Sequence, residues 1–356
     1  MTLSVERICN ELNRKGLLPP QEIRNLYQRW QRQAGASAND PVLFGKWLAH
    51  HGYVTDYQAD VLLRRREDPL VLGLYKLRGR IGRGPMAGVF EAIRPQGQAV
   101  AIKVLPAARA ADTTLLARFQ REARLARRLN HPNVIRTFEA GEHHGIHFLV
   151  MELLQGETLK DVLLRRGRLP APEAIRLLYQ ALLGLEHVHE QGMVHRDLEP
   201  ANLMLVPGSA DQADTTRNST VKILDIGLGR AVFDEGAPGS GPVNLTSTGD
   251  LLGTPLYCSP EQTKDPRQAD IRSDIYSLGC VLYHTLAGQP PFEDKGPVRL
   301  MLSHANEPPP RLARLNLGEP PGLQQVLDCM MAKDPALRFP TPGQAAQELR
   351  RFLLMK

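Results

Sequence analysis

The feature that most constrains the fold of this chain is a change of sequence pattern that begins at Leu74. Short β-type runs follow one another from there, and the clearest of them is the mostly apolar run over 100–105. From about Gly156 onward the pattern is mostly helical. A strand-rich part, over about 74–151, followed by a helix-rich part, over about 156–354, predicts an α+β protein.

Length and composition restrict the class of protein further. A chain of 356 residues, of which 42% are hydrophobic, has enough apolar material for two buried cores. No uncharged apolar run approaches the roughly 18 residues that a membrane helix needs, so we expect no membrane segment. The net charge of +6 comes mainly from arginine clusters such as 64–66, which are not interleaved with aromatic residues. Solvated helix faces therefore explain the charge better than nucleic-acid binding, which we do not expect.

The four cysteines indicate the cellular compartment. Cys9, Cys258, Cys280 and Cys329 lie far apart in the sequence and form neither a CxxC pair nor a Cys/His cluster. This spacing favours reduced thiols over a disulfide framework or a zinc site. Because no basic segment followed by an apolar stretch opens the sequence, we expect a cytoplasmic protein.

Residues 1–68 have a helical pattern and contain an internal repeat. Gly16 in the first copy corresponds to Gly52 in the second, and a short apolar step follows each glycine. The pattern predicts a helix that ends at the glycine, followed by a new helix. In the second copy, Thr55 and Gln58 have the spacing of a capping box. Two interpretations stay open: a helical cap that packs on the neighbouring lobe, or a regulatory or docking module for a partner.

A glycine-rich segment over 82–89 lies between two predicted strands. Glycines in such a turn let backbone amides approach phosphate groups closely, because no Cβ intervenes. Lys103 follows in a Val-Ala-Ile-Lys strand, and this combination indicates nucleotide binding more strongly than either feature alone. The third glycine of the pattern is replaced by Ala87, and Gly88 stands beside it.

The segment 195–202 reads His-Arg-Asp-Leu-Glu-Pro-Ala-Asn. Asp197 is suited to accept a proton from an attacking hydroxyl, and Asn202 offers an amide oxygen to a magnesium ion. Asp225, in the sequence Asp-Ile-Gly, offers the hard carboxylate oxygen that Mg²⁺ prefers. Residues of these types in this order indicate phosphoryl transfer from ATP.

Together the motifs resemble those of the Hanks-type serine/threonine protein kinases of bacteria, with a planctomycete-like style, over about 74–354. Two further motifs support the resemblance: Ser-Pro-Glu, which ends at Glu261, and Lys-Asp-Pro-x-x-Arg, which ends at Arg338. The resemblance implies a two-lobed kinase fold with a small helical N-terminal region over 1–68. It also implies ATP and Mg²⁺ as cofactors, protein substrates, and an ion pair between Arg338 and Glu261.

The resemblance also implies roles for individual residues. Asp197 would orient the acceptor hydroxyl, and Lys103, paired with Glu122, would hold the α- and β-phosphates. Asn202 and Asp225 would bind the metal. ATP would be bound by a larger set of residues: Ile81, Gly82, Gly84, Val89, Ala101, Lys103, Glu152, Leu154 and Met204. A surface ion pair within its own helix is the alternative role for Glu122.

Glu199 occupies the position at which these kinases usually have a lysine that steadies the transferring phosphate. A carboxylate there removes an attraction and adds a repulsion, each about 4 kcal/mol at ~4 Å and an effective dielectric constant of ~20. Two hypotheses of different class follow. The chain is either an active serine/threonine kinase that also phosphorylates itself, or a nucleotide-binding pseudokinase whose output is conformational.

The segment between Asp225 and Glu261 corresponds to the activation segment of these kinases. It contains four candidate phosphorylation sites: Thr246, Ser247, Thr248 and Thr254. Arg196 precedes Asp197 and is suited to pair with a phosphate added to this segment. Ordinary loop composition is the alternative explanation for these hydroxyl residues.

Overall fold

The structure is a computed structural model that describes residues 3–64, 68–83, 88–105, 110, 113–208, 216–226, 255–265, 268–293, 296–312 and 320–354. The chain divides into two compact units. The first unit consists of Met1–Leu116 and Phe138–Leu153, and the second of Ala117–Thr137 and Leu154–Lys356.

The first unit begins with a helical region whose described helices are α1 (Val5–Arg14), α2 (Pro20–Ala34), α3 (Pro41–His50) and α4 (Asp56–Arg64). Gly16 and Gly52 adopt φ angles of 67° and 73° after α1 and α3, as the repeated glycine predicts. The four helices bury a shared apolar core that includes Ile8, Trp30 and Phe44. Burial of these side chains stabilises the four helices, because helices this short are marginally stable alone in water.

A six-stranded sheet forms the rest of the first unit, in the strand order β1-β2-β3-β4-β6-β5. The strands are β1 (Val71–Leu72), β2 (Tyr75–Arg83), β3 (Gly88–Ile93), β4 (Ala99–Leu105), β5 (Thr137–His143) and β6 (Ile146–Glu152). The sheet buries alternate apolar side chains, among them Leu77, Phe90 and Ile102. The register between β2 and β3 shifts after Leu77, so that Arg78 stands opposite no residue of β3. Such a β-bulge leaves local backbone groups free to bond elsewhere.

After β4 the chain forms α5 (Thr113–Ala126), and the second unit is mostly helical. Its helices are α6 (Leu159–Arg166), α7 (Ala171–Glu190), α8 (Pro260–Lys264), α9 (Ile271–Ala287), α10 (Pro297–Asn306), α11 (Leu323–Met330) and α12 (Pro342–Leu354). A three-stranded sheet has the order β7-β8-β9, with β7 (Glu157–Thr158), β8 (Leu203–Val206) and β9 (Thr220–Ile223). Among the helices in the described ranges, none combines the length and the apolar character needed to span a membrane.

Helices α7 and α9 supply much of the apolar core of the second unit. Gly184 lets α7 approach the neighbouring turn closely, because a Cβ at this position would lie 2.6 Å from the backbone oxygen of Asn133. The side-chain amide of Asn133 in turn donates to the backbone oxygen of Val221 in β9, at 2.9 Å. The β8–β9 pair is therefore fixed on α7, with Asn202 just before β8 and Asp225 just after β9.

Candidate active site

The segment 195–202 is held by the buried carboxylate of Asp274 on α9. This carboxylate accepts the backbone N–H groups of His195 and Arg196, both at 2.7 Å, and lies 2.9 Å from Nε2 of His189. Arg196 has a φ of 67°, which is unfavourable for a residue with a side chain. The contacts to Asp274 hold the backbone in this conformation, and Asp197 follows directly.

A hydrogen-bonded bridge connects this segment to the residue that precedes Asp225. Nε2 of His195 lies 2.7 Å from the backbone oxygen of Leu224, and the N–H of Leu224 donates to the backbone oxygen of Asn202 at 2.9 Å. The N–H of Asp197 donates to Nδ1 of His195 at 3.3 Å. Because Nδ1 accepts, the proton of the neutral imidazole belongs on Nε2, where it donates to Leu224. The second unit thereby brings Asp197, Asn202 and Asp225 into one arrangement.

The side chains of Asn202 and Asp225 suit a magnesium ion. The amide nitrogen of Asn202 donates to the backbone oxygen of Asp197 at 2.7 Å and lies 3.4 Å from its Oδ2. This orientation reserves the amide oxygen of Asn202 for a cation. Asp225 has a φ of 53°, a second unfavourable backbone conformation in the same site. An amide oxygen and a carboxylate are hard ligands, and hard oxygen ligands fit Mg²⁺.

Glu199 is half-buried between Asp197 and the short turn Pro200–Asn202. Burial raises the pKa of Glu199 above its ordinary value, the charge of Asp197 raises it further, and the ammonium of Lys160 on α6 lowers it. Sequence reasoning identified Glu199 but missed Lys160, because no local pattern connects an exposed helix lysine to a carboxylate so distant in the chain. The structure thus adds a cation to the surroundings of the unusual carboxylate.

In the first unit, several predicted ATP-binding residues form a row across three strands. Val89 on β3 stands opposite Gly82 on β2 and opposite Lys103 on β4. Opposed residues of neighbouring strands present their side chains on the same face of a sheet. The other described members of the predicted set lie on the same strands or at their ends: Ile81 on β2, Ala101 on β4 and Glu152 at the end of β6.

The remaining predicted residues are divided between the second unit and segments that the structure does not describe. Leu154 follows β6, and Met204 lies on β8 opposite Lys222. Glu122 lies on α5, but its side chain is outside the described part of the chain. A further group of predicted residues lies outside the described ranges altogether: Gly84, Ala87, Thr246, Ser247, Thr248 and Thr254.

The predicted ion pair between Arg338 and Glu261 is present. Both terminal nitrogens of Arg338 donate to the carboxylate, at 2.7 and 2.8 Å, and the hydroxyl of Ser273 donates to it at 2.6 Å. Burial acts to raise the pKa of Glu261, but the hydrogen bonds from Arg338 and Ser273 outweigh it, and the pKa is lowered. The adjacent Gln262 donates to the backbone oxygen of Arg196 at 3.1 Å, which connects this ion pair to the candidate active site.

Comparison with known proteins places these observations in a family. The family model described as the protein kinase domain matches residues 75–349. A probable serine/threonine-protein kinase of Streptomyces coelicolor is 38% identical over 291 residues, which cover 80% of this chain and 40% of that protein. The serine/threonine-protein kinase PknB of Mycolicibacterium smegmatis is 36% identical over 256 residues, which cover 71% of this chain and 38% of that protein. The chain thus spans about 40% of the length of these relatives.

Solved structures give the same result for the fold. The kinase domain of PknI from Mycobacterium tuberculosis aligns with a TM-score of 0.60 at 25% sequence identity, over 79% of this chain and 97% of that one. The prediction of a two-lobed α+β kinase fold, with a β-rich N-lobe and a helical C-lobe, is therefore confirmed. The family match begins after the helical region, which is an addition to the matched domain. The chain belongs to the protein kinase family, and its relatives are serine/threonine kinases of bacteria.

Proposed function

We propose that this chain is an ATP- and Mg²⁺-dependent kinase that phosphorylates serine or threonine residues of protein substrates. The observation that carries the proposal is the hydrogen-bonded bridge from Asp274 through His195 and Leu224 to Asn202. This network fixes a carboxylate, Asp197, beside two oxygen ligands suited to a cation. Positioned groups of this kind supply most of the catalysis of phosphoryl transfer.

In the proposed reaction, Asp197 accepts a hydrogen bond from the substrate hydroxyl and takes its proton as the oxygen attacks the γ-phosphorus in line. A bond forms between that oxygen and phosphorus, the bond from phosphorus to the bridging oxygen of ADP breaks, and the proton passes to solvent. Lys103, with Glu122 as its partner, holds the α- and β-phosphates. Asn202 and Asp225 would hold Mg²⁺, which would neutralise charge on the phosphates.

The finer parts of the proposal have separate support. Four hydroxyl residues of the activation segment are the proposed sites of autophosphorylation: Thr246, Ser247, Thr248 and Thr254. Thr254 favours serine or threonine as the acceptor.

The free thiols of Cys9, Cys280 and Cys329 support a cytoplasmic location, since thiols stay reduced there. The motif style supports a planctomycete-like subgroup. A partner that binds the helical region is also part of the proposal.

Glu199 favours a second candidate function, a nucleotide-binding pseudokinase. Its half-buried carboxylate adds negative charge beside Asp197, where the transferring phosphate is also negative. Lys160 opposes this effect, because its ammonium attracts the same carboxylate. An active kinase is the function that the arrangement supports better, since the residues assigned to proton acceptance and to metal binding are all present.

The deciding experiment measures transfer of labelled γ-phosphate from Mg-ATP to the protein itself and to a generic basic protein. Four forms run in parallel: wild type, Asp197→Asn, Glu199→Lys, and Glu190→Gln as a control that changes an exposed carboxylate on α7. An active kinase labels both substrates, Asp197→Asn abolishes the signal, and Glu190→Gln leaves it unchanged.

The Glu199→Lys form separates the two functions. If the carboxylate limits turnover, this substitution raises kcat by more than about tenfold. Wild-type protein that binds ATP but transfers no phosphate, with transfer recovered in Glu199→Lys, identifies a pseudokinase. Labelling that persists in Asp197→Asn contradicts the catalytic assignment.

A further inference from the structure

The helical region is bonded directly to strand β2 through the first turn of α4. The side-chain amide of Gln58 donates to the backbone oxygen of Leu77 at 2.7 Å, and the hydroxyl of Thr55 donates to the backbone oxygen of Arg78 at 2.5 Å. Gln58 is 6% exposed, so its hydrogen bond is shielded from water. A buried hydrogen bond of this kind is costly to lose, because the remaining partner is left unsatisfied.

The same two side chains also start the helix. The backbone N–H of Gln58 donates to the hydroxyl oxygen of Thr55 at 3.2 Å, and the backbone N–H of Thr55 donates to the side-chain oxygen of Gln58 at 2.8 Å. This is the reciprocal capping box that the sequence predicts. Gln58 uses its amide oxygen for the helix and its amide nitrogen for the strand, whereas the hydroxyl of Thr55 serves both, as acceptor for the helix and as donor to the strand.

The place of attachment is the first of two register shifts between β2 and β3, the bulge at Arg78; the second lies between Arg80 and Gly82. The register with β3 skips Arg78, and the oxygens of Leu77 and Arg78 are the two atoms that Gln58 and Thr55 reach. The helical region thus completes the hydrogen bonding of an irregular strand, and it does so at one fixed register.

Two other contacts attach the helical region to the same part of the sheet. The ring of Tyr57 packs 5.9 Å from the ring of Phe90 on β3, at an interplanar angle of 55°. The ammonium of Lys76 on β2 donates to the backbone oxygen of Leu17 at 2.8 Å, directly after the glycine of the first repeat copy. Both copies of the repeat therefore contact β2.

Strands β2 and β3 are also the strands that present the proposed nucleotide residues. Arg78 lies three residues before Ile81 on β2, and Gly82 and Val89 stand opposite each other at the far end of the pair. A shift of β2 at its bulge moves Gly82 relative to Val89 and Lys103, because Val89 and Lys103 are held opposite each other by the unbroken register of β3 and β4.

We propose that Thr55 and Gln58, supported by Tyr57, are positioning residues for ATP: they hold β2 at its bulge at Arg78 and thereby set the placement of Gly82 against Val89. This inference rests on the proposed function, since it concerns the same nucleotide. The helical region is in this view part of the ATP-binding half of the kinase. It acts through β2 and β3, and it does not itself touch the nucleotide.

The test measures the affinity of the full chain for mant-ATP with Mg²⁺, together with the KM for ATP, the KM for a basic protein substrate, and kcat. The main variant is Gln58→Glu, which keeps the oxygen that caps α4 but loses the N–H that donates to Leu77. Its affinity for mant-ATP is expected to fall about three- to tenfold, with a matching rise in the KM for ATP. The KM for the protein substrate and kcat at saturating ATP stay within about twofold.

A second pair of variants keeps the inference open to contradiction if Gln58→Glu fails to fold. Thr55→Val removes the hydroxyl and is expected to weaken mant-ATP binding, whereas Thr55→Ser keeps the hydroxyl and restores it. Ser4→Ala is the matched control, because the hydroxyl oxygen of Ser4 caps α1 by accepting the N–H of Arg7 at 3.2 Å, just as that of Thr55 caps α4. Ser4→Ala should leave mant-ATP binding unchanged.

Two outcomes overturn the inference: unchanged affinity in folded Gln58→Glu and Thr55→Val, or an equal loss of affinity in Ser4→Ala. Failure of the proposed function gives different results: a pseudokinase binds mant-ATP but transfers no phosphate, and a chain that is not a nucleotide-binding protein binds no mant-ATP even as wild type. Far-ultraviolet circular dichroism and the thermal midpoint of each variant verify that the comparison is made between folded proteins.

Discussion

Arg338 and Glu261 form a two-point ion pair that joins distant parts of the second unit, with the arginine side chain 0% exposed. The guanidinium also donates to the backbone oxygens of Ala332, Arg272 and Lys333. Its donors are therefore used in a buried network. A buried pair with satisfied hydrogen bonds is strongly destabilised when one partner is removed, because the other charge is left uncompensated.

Replacement of Arg338 by methionine is expected to lower the free energy of unfolding by about 3–5 kcal/mol. Urea denaturation measures this value. The matched control is Arg351→Met, because Arg351 forms a 2.6 Å ion pair with Glu348 while its own side chain is 69% exposed. The control is expected to cost less than about 1 kcal/mol. Equal losses in the two variants would contradict the structural role assigned to Arg338.

Asp274→Asn tests whether the buried carboxylate holds the catalytic segment. The amide keeps the shape but has one oxygen for the two backbone donors of His195 and Arg196, so one N–H loses its partner. We expect a loss of about 1–3 kcal/mol in the free energy of unfolding and a fall of at least about tenfold in kcat. Asp270→Asn is the control, since Asp270 caps α9 and asparagine caps helices equally well. A kcat in Asp274→Asn equal to that of the control would show that Asp197 is positioned by other contacts.

The raised pKa of Glu199 predicts a pH-dependent effect of its charge. Above that pKa the wild-type side chain is ionised and repels the transferring phosphate, while below it the side chain is neutral. Glu199→Gln is neutral at every pH, so the two proteins differ in the charge at this position only when the wild-type carboxyl is ionised. The ratio of kcat between variant and wild type is therefore expected to be about ten near pH 8 and to approach one as the pH falls through the raised pKa.

Phosphate transfer by both proteins, measured between about pH 5 and about pH 8, gives this ratio. Glu190→Gln supplies the baseline, with a ratio near one throughout. A ratio for Glu199→Gln that stays constant with pH would exclude the charge of Glu199 as the cause.

Tryptophan fluorescence reports on the helical region alone, because the chain has two tryptophans, Trp30 and Trp47, and both lie there. Their rings are 5.7 Å apart in one aromatic cluster. Since α4 is bonded to β2, a nucleotide that binds the sheet is expected to stabilise this region as well. Saturation at about 100 times the dissociation constant adds about 2.7 kcal/mol.

Thermal unfolding followed by fluorescence, with and without Mg-ATP, checks this expectation. The fluorescence midpoint is expected to rise with the midpoint measured by circular dichroism. If Mg-ATP raised the midpoint measured by circular dichroism but not the fluorescence midpoint, the helical region would unfold independently of the sheet. In Gln58→Glu, Mg-ATP should raise the fluorescence midpoint less than it raises the midpoint measured by circular dichroism.

The sequence predicted best those features that depend on neighbours along the chain. The capping box of Thr55 and Gln58 follows from their spacing, and the left-handed glycines Gly16 and Gly52 follow from their place after an amphipathic helix. The bonds from Gln58 to Leu77 and from Lys76 to Leu17 were not predicted, because each joins segments whose approach depends on packing of the whole unit.

The candidate active site shows the same difference between residues that the sequence order predicts and contacts that depend on packing. Asp197, Asn202 and Asp225 were predicted because their order matches a family pattern, and so was the pair of Arg338 with Glu261. Lys160 was missed, since its approach to Glu199 depends on where α6 lies. The bonds of Asp274 to two successive backbone N–H groups required the structure, because they join α9 to a segment that is distant in the chain.

The double use of Thr55 and Gln58 has a consequence for exchange of parts between proteins. A helical region that merely followed a flexible tether could be grafted onto another kinase, or lost in evolution, without altering the sheet. Here the side chains that begin α4 also complete the bulge of β2, so a transplanted helical region needs a recipient strand with the same irregularity. Chimeras that join this region to a regular β2 strand should therefore fit poorly, whereas transfer of the two as one block should preserve the joint.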